Sequence, residues 1–302
     1  MPVKYRPPAV EGYLPISSLM SLVYWFKTGI ANPVHPAGLI IFSLTIVLAA
    51  AVRRGFCSWV CPIGAGAEYL HKTGKKLFGR NFKPYKWLDL ILRSLKYLLL
   101  GFFVFYIVMM SSEQLRQFIY GPYNRIADVK MYMFMRHMSV TAAVVMSVLF
   151  VGSLLIKNFW CRYLCPYGAL LGIFSIFSPA AVRRDELKCV NCGNCASACP
   201  NRIQVDRKTK VNSTNCTACF SCIDACKKEG AIRFGAGKLR FSVLTYAVVT
   251  LAAFVFITQA AKSLGYWHSN TPPQMYKALY RSMEGIKHPR VSIGSAELET
   301  NK

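Results

Sequence analysis

Four stretches of the chain, about 34–52, 91–110, 139–156 and 241–261, are runs of mostly apolar residues close to the ~20 that cross a bilayer as a helix. Hydrocarbon offers no hydrogen-bond partners, so each run must satisfy its backbone internally. This predicts a mostly α, polytopic membrane protein with about four transmembrane helices. Composition agrees: 54% of residues are hydrophobic and 17% charged, too apolar for an ordinary soluble domain. Two other stretches are weaker. Residues 13–30 contain Lys27 and several serines and read as an interfacial or re-entrant helix. Residues 168–182 are short, contain Pro179 and read as an interfacial or core helix.

The charge is strongly unbalanced, with 37 Lys and Arg against 13 Asp and Glu and a formal net charge of +24. No nucleic-acid motif accompanies it, so the excess reads as cytoplasmic loop charge beside lipid. Eight Lys or Arg lie in 71–96, four in 111–138 and fourteen in 157–240. The positive-inside rule then places 53–90 and 157–240 in the cytoplasm and 111–138 outside. With four spans both termini are outside; if 13–30 also spans, the N-terminus is inside. The polar, Pro-rich start shows no cleavable secretory signal. The expected location is a bacterial or archaeal inner membrane.

The twelve cysteines form two pairs and two quartets. The pairs, Cys57/Cys61 and Cys161/Cys165, stand in FCSWVCPIGAG and WCRYLCPYGAL, 104 residues apart. Each is followed by Pro, one residue, Gly and Ala, and each follows an apolar run. This is a parallel internal repeat. Both preceding spans run from outside to inside, so both pairs arrive at the inner face. Spacing of four sets each pair on one side of a helix, and Pro62 or Pro166 ends that helix or starts the next. Four thiols at one depth can hold an iron–sulfur cluster. They are also open to two separate clusters, dithiol exchange, copper or zinc, or a role as buried thiols.

The quartets, Cys189, Cys192, Cys195, Cys199 and Cys216, Cys219, Cys222, Cys226, each follow C-x2-C-x2-C-x3-C, the run of bacterial ferredoxins. The two-cluster pattern implies that Cys226 completes the Cys189, Cys192, Cys195 set. It likewise implies that Cys199 completes the Cys216, Cys219, Cys222 set. The usual proline after the second run is Lys227. The surrounding cations, including Arg183, Arg184, Lys188, Arg207, Lys208, Lys227 and Lys228, suit anionic lipid or an acidic redox partner.

Taken together, RRGFCSWVCPIG at 53–64, FWCRYLCPYG at 159–168, the two ferredoxin runs and NPVHPAG at 32–38 resemble the NapH/NosR/CcoG-type membrane polyferredoxins. The chain is most similar to the NapH-like 4Fe-4S membrane component of quinol dehydrogenases. A flavin domain of the NosR kind is not expected before the first firm span. The resemblance implies two [4Fe-4S] clusters, a quinone or quinol as diffusible substrate and redox partner subunits in a complex. It implies electron transfer between the quinone pool and the clusters, with the paired cysteines redox-related. A maturation factor that reduces a metal or disulfide for another enzyme, and a ferredoxin-fed quinone reductase, are rival readings. Quinol oxidation releases protons, and His35 and His137, before the first and third spans, are candidate proton acceptors or haem ligands. About 30 Å of hydrocarbon separates their expected face from the cysteines. The expected division is an N-terminal segment 1–33, a membrane domain 34–182, a small α+β ferredoxin insert 183–236, a last span 237–261 and an extracytoplasmic tail 262–302.

Overall fold

A computed structural model of the protein describes residues 8–79, 82, 84–237 and 239–289. The first seven residues, the end of the expected tail and three of the counted cations, Arg80, Lys83 and Lys238, lie outside the described residues. The chain is mostly helical, and helices fall on all four apolar stretches: Pro36–Val52, Lys86–Met109, Val140–Leu155 and Val243–Ser263. Two segments, Trp87–Met109 and Val243–Ser263, are long and apolar enough to cross a membrane. Val140–Leu155 has 16 residues and meets the Ala127–Arg136 helix at 84°. Pro36–Val52 has 17 and stops where Arg53 takes a left-handed backbone conformation, φ 71°. Asn158, φ 51°, makes a similar left-handed turn after Val140–Leu155, one residue later in the repeat register. Neither residue is glycine, so each corner holds its conformation against an intrinsic cost.

The chain divides into two compact units. One comprises 1–44, 101–143 and 255–302; the other comprises 45–100 and 144–254. In the first, the ambiguous 13–30 stretch forms the helix Pro15–Thr28, ended by Gly29 at φ 73°. Its 14 residues are too few to cross a bilayer unaided. It buries Met20 and Tyr24 with Leu115, Phe118 and Ile119 of the Ser112–Tyr120 helix. Lys27 donates to the carbonyls of Val108 and Met110, at 2.8 and 2.6 Å, and so caps the end of the long Lys86–Met109 helix. Ser111 and Gln114 form a reciprocal capping box that starts the next helix.

The second unit holds all twelve cysteines. Its sheet has strands β1 (Ala180–Arg184), β2 (Lys210–Val211), β3 (Ile232–Ala236) and β4 (Leu239–Phe241), ordered β2-β1-β3-β4 and antiparallel throughout. Alternate residues Ala180, Val182, Val211, Ile232 and Phe234 face one core with Cys195, Cys199, Cys216 and Cys222. The sheet begins three residues before the expected 183–236 insert and continues past it to Phe241. The first cysteine quartet connects β1 to β2 and the second connects β2 to β3. Pairing of β1 with β3, Val182 opposite Phe234, therefore draws the two quartets together.

Arg53 pegs this sheet. It is fully buried and donates from Nε to Ala180 O at 2.9 Å, and from Nη2 to Val211 O at 3.0 Å and Asn212 Oδ1 at 2.7 Å. A buried guanidinium is tolerable only when its donors are met in this way.

Candidate functional site

The two cysteine quartets are built alike. Asn191 and Ala218 occupy matching places between the first and second cysteines, both with positive φ, 52° and 47°. Gly193 and Phe220 occupy matching places before the third cysteine, at 70° and 61°. Left-handed residues alternating with ordinary ones turn successive N–H groups toward one concavity, a recurrent anion and iron–sulfur cradle. The short helices Asn194–Ala198 and Ser221–Asp224 then begin.

Each cavity draws its fourth thiol from the other run. One is lined by Cys199, Cys216, Cys219 and Cys222, with Val182, Val205, Val211 and Phe234 as apolar wall. The other is lined by Cys189, Cys192, Cys195 and Cys226, with Asp206 and Lys228 at its edge. Burial pushes the Cys199 thiol up to about 11 and raises Cys216 as well. At Cys189 a hydrogen bond with Arg184 acts the other way and lowers it. Four thiols, a cradle of N–H groups and a dry wall fit a [4Fe-4S] cluster in each cavity.

The four cysteines of the repeated corners also converge. Cys161 senses the charges of Cys57, Cys61 and Cys165, and Cys57 senses Cys61 and Cys165. Burial pushes Cys57 up to about 11 and raises Cys161 and Cys165; Arg54 opposes this at all three. Arg54 is buried and spans three cysteine groups. It stands three residues before Cys57. Its Nη1 donates to Gly168 O, three residues after Cys165, and its Nη2 to Asn215 O, next to Cys216, at 3.0 Å. Its Nε is buried with no hydrogen-bond partner among the described residues. A buried cation with an unmet donor, acting on three of the four thiols, suits an anionic group at this corner.

The corner and the nearer cavity are wired together by side chains. Lys96 Nζ donates to Asn215 Oδ1 at 2.7 Å and Tyr97 to Thr214 at 2.8 Å. Trp59, between Cys57 and Cys61, donates its indole N–H to Ala218 O, between Cys216 and Cys219, at 3.0 Å. Its ring lies 6.2 Å from Phe220 and 6.1 Å from Tyr246. Arg54 and Trp59 lie inside the RRGFCSWVCPIG stretch, but nothing in the sequence marks their partners; Lys96, 35 residues past Cys61, carries no signal at all.

A second polar group is equally hidden. Asp89 accepts from Arg162 Nε at 3.0 Å and Nη2 at 2.7 Å, and from the Tyr163 hydroxyl at 2.5 Å. Arg93 also pairs with Asp89. Arg162 and Tyr163 lie between Cys161 and Cys165, so this group orients the second corner as Arg54 orients the first.

His35 and His137 belong to the other unit and differ from each other. His35 is buried. Its Nδ1 lies 3.3 Å from the buried Glu11 carboxylate and its Nε2 lies 2.7 Å from Asn124 O. A carbonyl only accepts, so Nε2 is the donor to Asn124 O and Nδ1 faces the carboxylate. His137 is exposed at the end of the Ala127–Arg136 helix. Glu11, the buried carboxylate beside His35, has no signal in the sequence beyond being a carboxylate near an apolar stretch.

Ferredoxin-like cavities and a four-thiol corner on apolar helices define an iron–sulfur protein of the membrane polyferredoxin class. A 4Fe-4S binding domain model matches residues 34–82 and 138–184, the two repeats that carry the corners. A 4Fe-4S dicluster domain model matches 181–227. YccM of Escherichia coli K12, named provisionally for electron transport, is 37% identical over 290 residues, 94% of this chain and 81% of YccM. The uncharacterized protein MJ0749 of Methanocaldococcus jannaschii is 30% identical over 72% of this chain and 78% of its own length. The ferredoxin-type protein NapH of Escherichia coli K12 is 26% identical over 62% of this chain and 63% of NapH. The chain belongs to the NapH/NosR-type membrane polyferredoxin family. No solved structure matches it.

Proposed function

We propose that the chain is a membrane electron-transfer subunit that moves electrons between the quinone pool and its iron–sulfur clusters on behalf of a partner redox enzyme. The observation that carries this reading is the bridge from corner to cavity. Arg54 and Trp59 join the Cys57/Cys61 and Cys161/Cys165 corners to the loop bearing Cys216 and Cys219. A wiring of this kind serves electron passage between neighbouring centres. The relatives named for electron transport and as ferredoxin-type proteins support the same class.

In this reading Cys189, Cys192, Cys195 and Cys226 hold one [4Fe-4S] cluster, and Cys199, Cys216, Cys219 and Cys222 hold the second. Cys57, Cys61, Cys161 and Cys165 jointly hold a third. When bound, the clusters supply reversible one-electron steps. The chain's residues supply the rest: Arg54 neutralises charge at the corner, Arg53 holds the sheet, and the apolar walls exclude water. Four helices span the membrane, the ferredoxin segment is an insert on the cytoplasmic side, and residues beyond 261 lie outside. Quinol gives up two electrons and two protons. The Glu11–His35 couple is the proton acceptor in this scheme, and the exposed His137 is the weaker candidate.

Iron and acid-labile sulfide are counted on the purified chain and on a Cys57→Ala, Cys161→Ala double variant. A fall of about four iron atoms per chain is expected for a shared [4Fe-4S] site; unchanged counts would remove the third cluster. Reduction of the wild-type clusters by a soluble quinol analogue is followed in parallel by redox-poised EPR. Clusters that dithionite reduces and the quinol never does would overturn the quinone reading.

A further inference from the structure

The two ferredoxin cavities have different neighbours. Cys216, in one, lies in the field of Arg53 and Arg54, and Cys199, Cys216 and Cys222 are buried. This cavity adjoins the corner cysteines. Cys189, in the other, answers to Arg184, and Cys192 is exposed. Beside it stand Leu187, 99% exposed, and Val190, 55% exposed.

Cations ring this apolar centre. Lys188, Lys227 and Lys228 are exposed, and Lys228 lines the cavity edge. The Lys188 amine lies 4.0 Å from where a side chain on Gly230 would begin, so the 187–192 and 227–230 loops meet at one rim. Arg207, Lys208 and Lys210 are exposed on the neighbouring segment. No ion pair among the described residues holds Lys188, Lys227 or Lys228. The carboxylates of the rim are Asp185, Glu186, Glu229 and Asp206, the last lining the cavity edge. Asp185 accepts the Leu187 N–H at 3.1 Å, and Arg184 engages Glu186 at 3.1 Å. Arg184, Lys188, Arg207, Lys208, Lys210, Lys227 and Lys228 are seven cations against these four carboxylates, so the rim is positive on balance.

We propose that this rim is the docking surface for a small acidic electron-carrier protein, and that electrons enter or leave the chain through the Cys189, Cys192, Cys195, Cys226 cavity. The proposal rests on the reading that the quartets hold clusters. Each encounter moves one electron across the rim, oxidising one side and reducing the other, with no bond made. A small apolar centre inside a ring of cations suits a brief, steered encounter rather than a permanent subunit contact. The Cys199, Cys216, Cys219, Cys222 cavity then relays between the rim and the membrane-edge corner.

The test uses the full cluster-loaded chain in detergent. Dithionite-reduced protein is mixed with flavodoxin, an acidic carrier, and separately with cytochrome c, a basic one. Lys188→Glu with Lys227→Glu should slow the flavodoxin reaction about tenfold or more, flatten its salt dependence and speed the cytochrome c reaction. Leu187→Glu, at a fully exposed site, should slow flavodoxin while leaving iron, sulfide and EPR signals unchanged. Unchanged flavodoxin rates in both variants, with clusters intact, overturn the proposal. It is equally overturned if the double variant loses binding to phosphatidylglycerol vesicles while its flavodoxin rate holds. Absence of clusters at the eight ferredoxin cysteines in wild type would instead sink the functional reading on which this rests.

Discussion

The two cysteine corners are twins in sequence and divergent in what they hold. Trp59 and Tyr163 occupy the same place between the cysteines. Trp59 reaches the Ala218 carbonyl of the ferredoxin segment, whereas Tyr163 reaches the Asp89 carboxylate of an apolar helix. The cation differs too. The first corner uses Arg54, ahead of its pair, and the second uses Arg162, within its pair. A repeated backbone frame thus carries two jobs, one corner facing the iron–sulfur segment and the other anchored to a helix. A duplicated unit gains this division because the frame depends on Pro, Gly and cysteine spacing, while the other side chains are free to diverge.

The comparison can be broken by substitutions at matched positions. Arg162→Ala should cost about 2–3 kcal/mol, because it removes two charge-assisted hydrogen bonds from Asp89 and leaves Arg93 and Tyr163 to hold it. Ser58→Ala, its twin, should change stability by less than about 0.5 kcal/mol. Thermal melting in detergent, followed by bleaching of the visible absorbance, reads both. Equal losses would mean that Asp89 does not anchor the second corner.

The glycines separate the corners next. A Cβ on Gly64 would lie 1.9 Å from the Cys57 carbonyl oxygen, which cannot retreat without moving the cysteine itself. On Gly168 the nearest atoms are 3.5 and 3.6 Å away, an ordinary contact. Gly64→Ala should therefore cost about 3 kcal/mol and lower the iron content, while Gly168→Ala should cost under about 1 kcal/mol. Iron per chain and melting temperature on the pair decide the matter; a tolerated Gly64→Ala would show the first corner to be loosely packed.

The aromatic pair gives the smallest effects and sharpens the division of labour. Tyr163→Phe removes a hydrogen bond to a charged group and should cost about 1.5–3 kcal/mol. Trp59→Phe removes one to a neutral carbonyl and should cost about 1 kcal/mol. The functional order should be reversed. Trp59→Phe is expected to slow electron passage from corner to ferredoxin segment, seen as delayed reduction of the ferredoxin EPR signals, whereas Tyr163→Phe should leave that rate near wild type. Identical rates would separate stability from electron passage at Trp59.

Much of this architecture is legible in the amino-acid sequence. The apolar runs predict the helices because apolar length is itself the signal, and the C-x2-C-x2-C-x3-C spacing predicts the cavities because ligand geometry is local. Even the exchange of Cys199 and Cys226 between runs follows from a known pattern. What does not show is the set of polar partners: Arg54 for the corner thiols, Asp89 for Arg162, Glu11 for His35. His35 and His137 look equivalent from their places before apolar runs, yet one is buried against a carboxylate and the other is exposed.

The sequence alone determined the four apolar helices, where each corner turns and which thiols share a cavity, since apolar runs, prolines and close cysteine spacing act within a few residues; it read 168–182 as one helix, whereas the helix ends by Phe177 and Ala180–Arg184 pairs as β1. Only the tertiary structure decided which cation faces which thiol, which cavity adjoins the corner and which opens at a basic rim. Those choices depend on contacts between residues more than a hundred positions apart, such as Arg54 with Gly168 and Trp59 with Ala218. No local pattern encodes them, because a side chain's neighbours across a fold are set by how strands and helices pack.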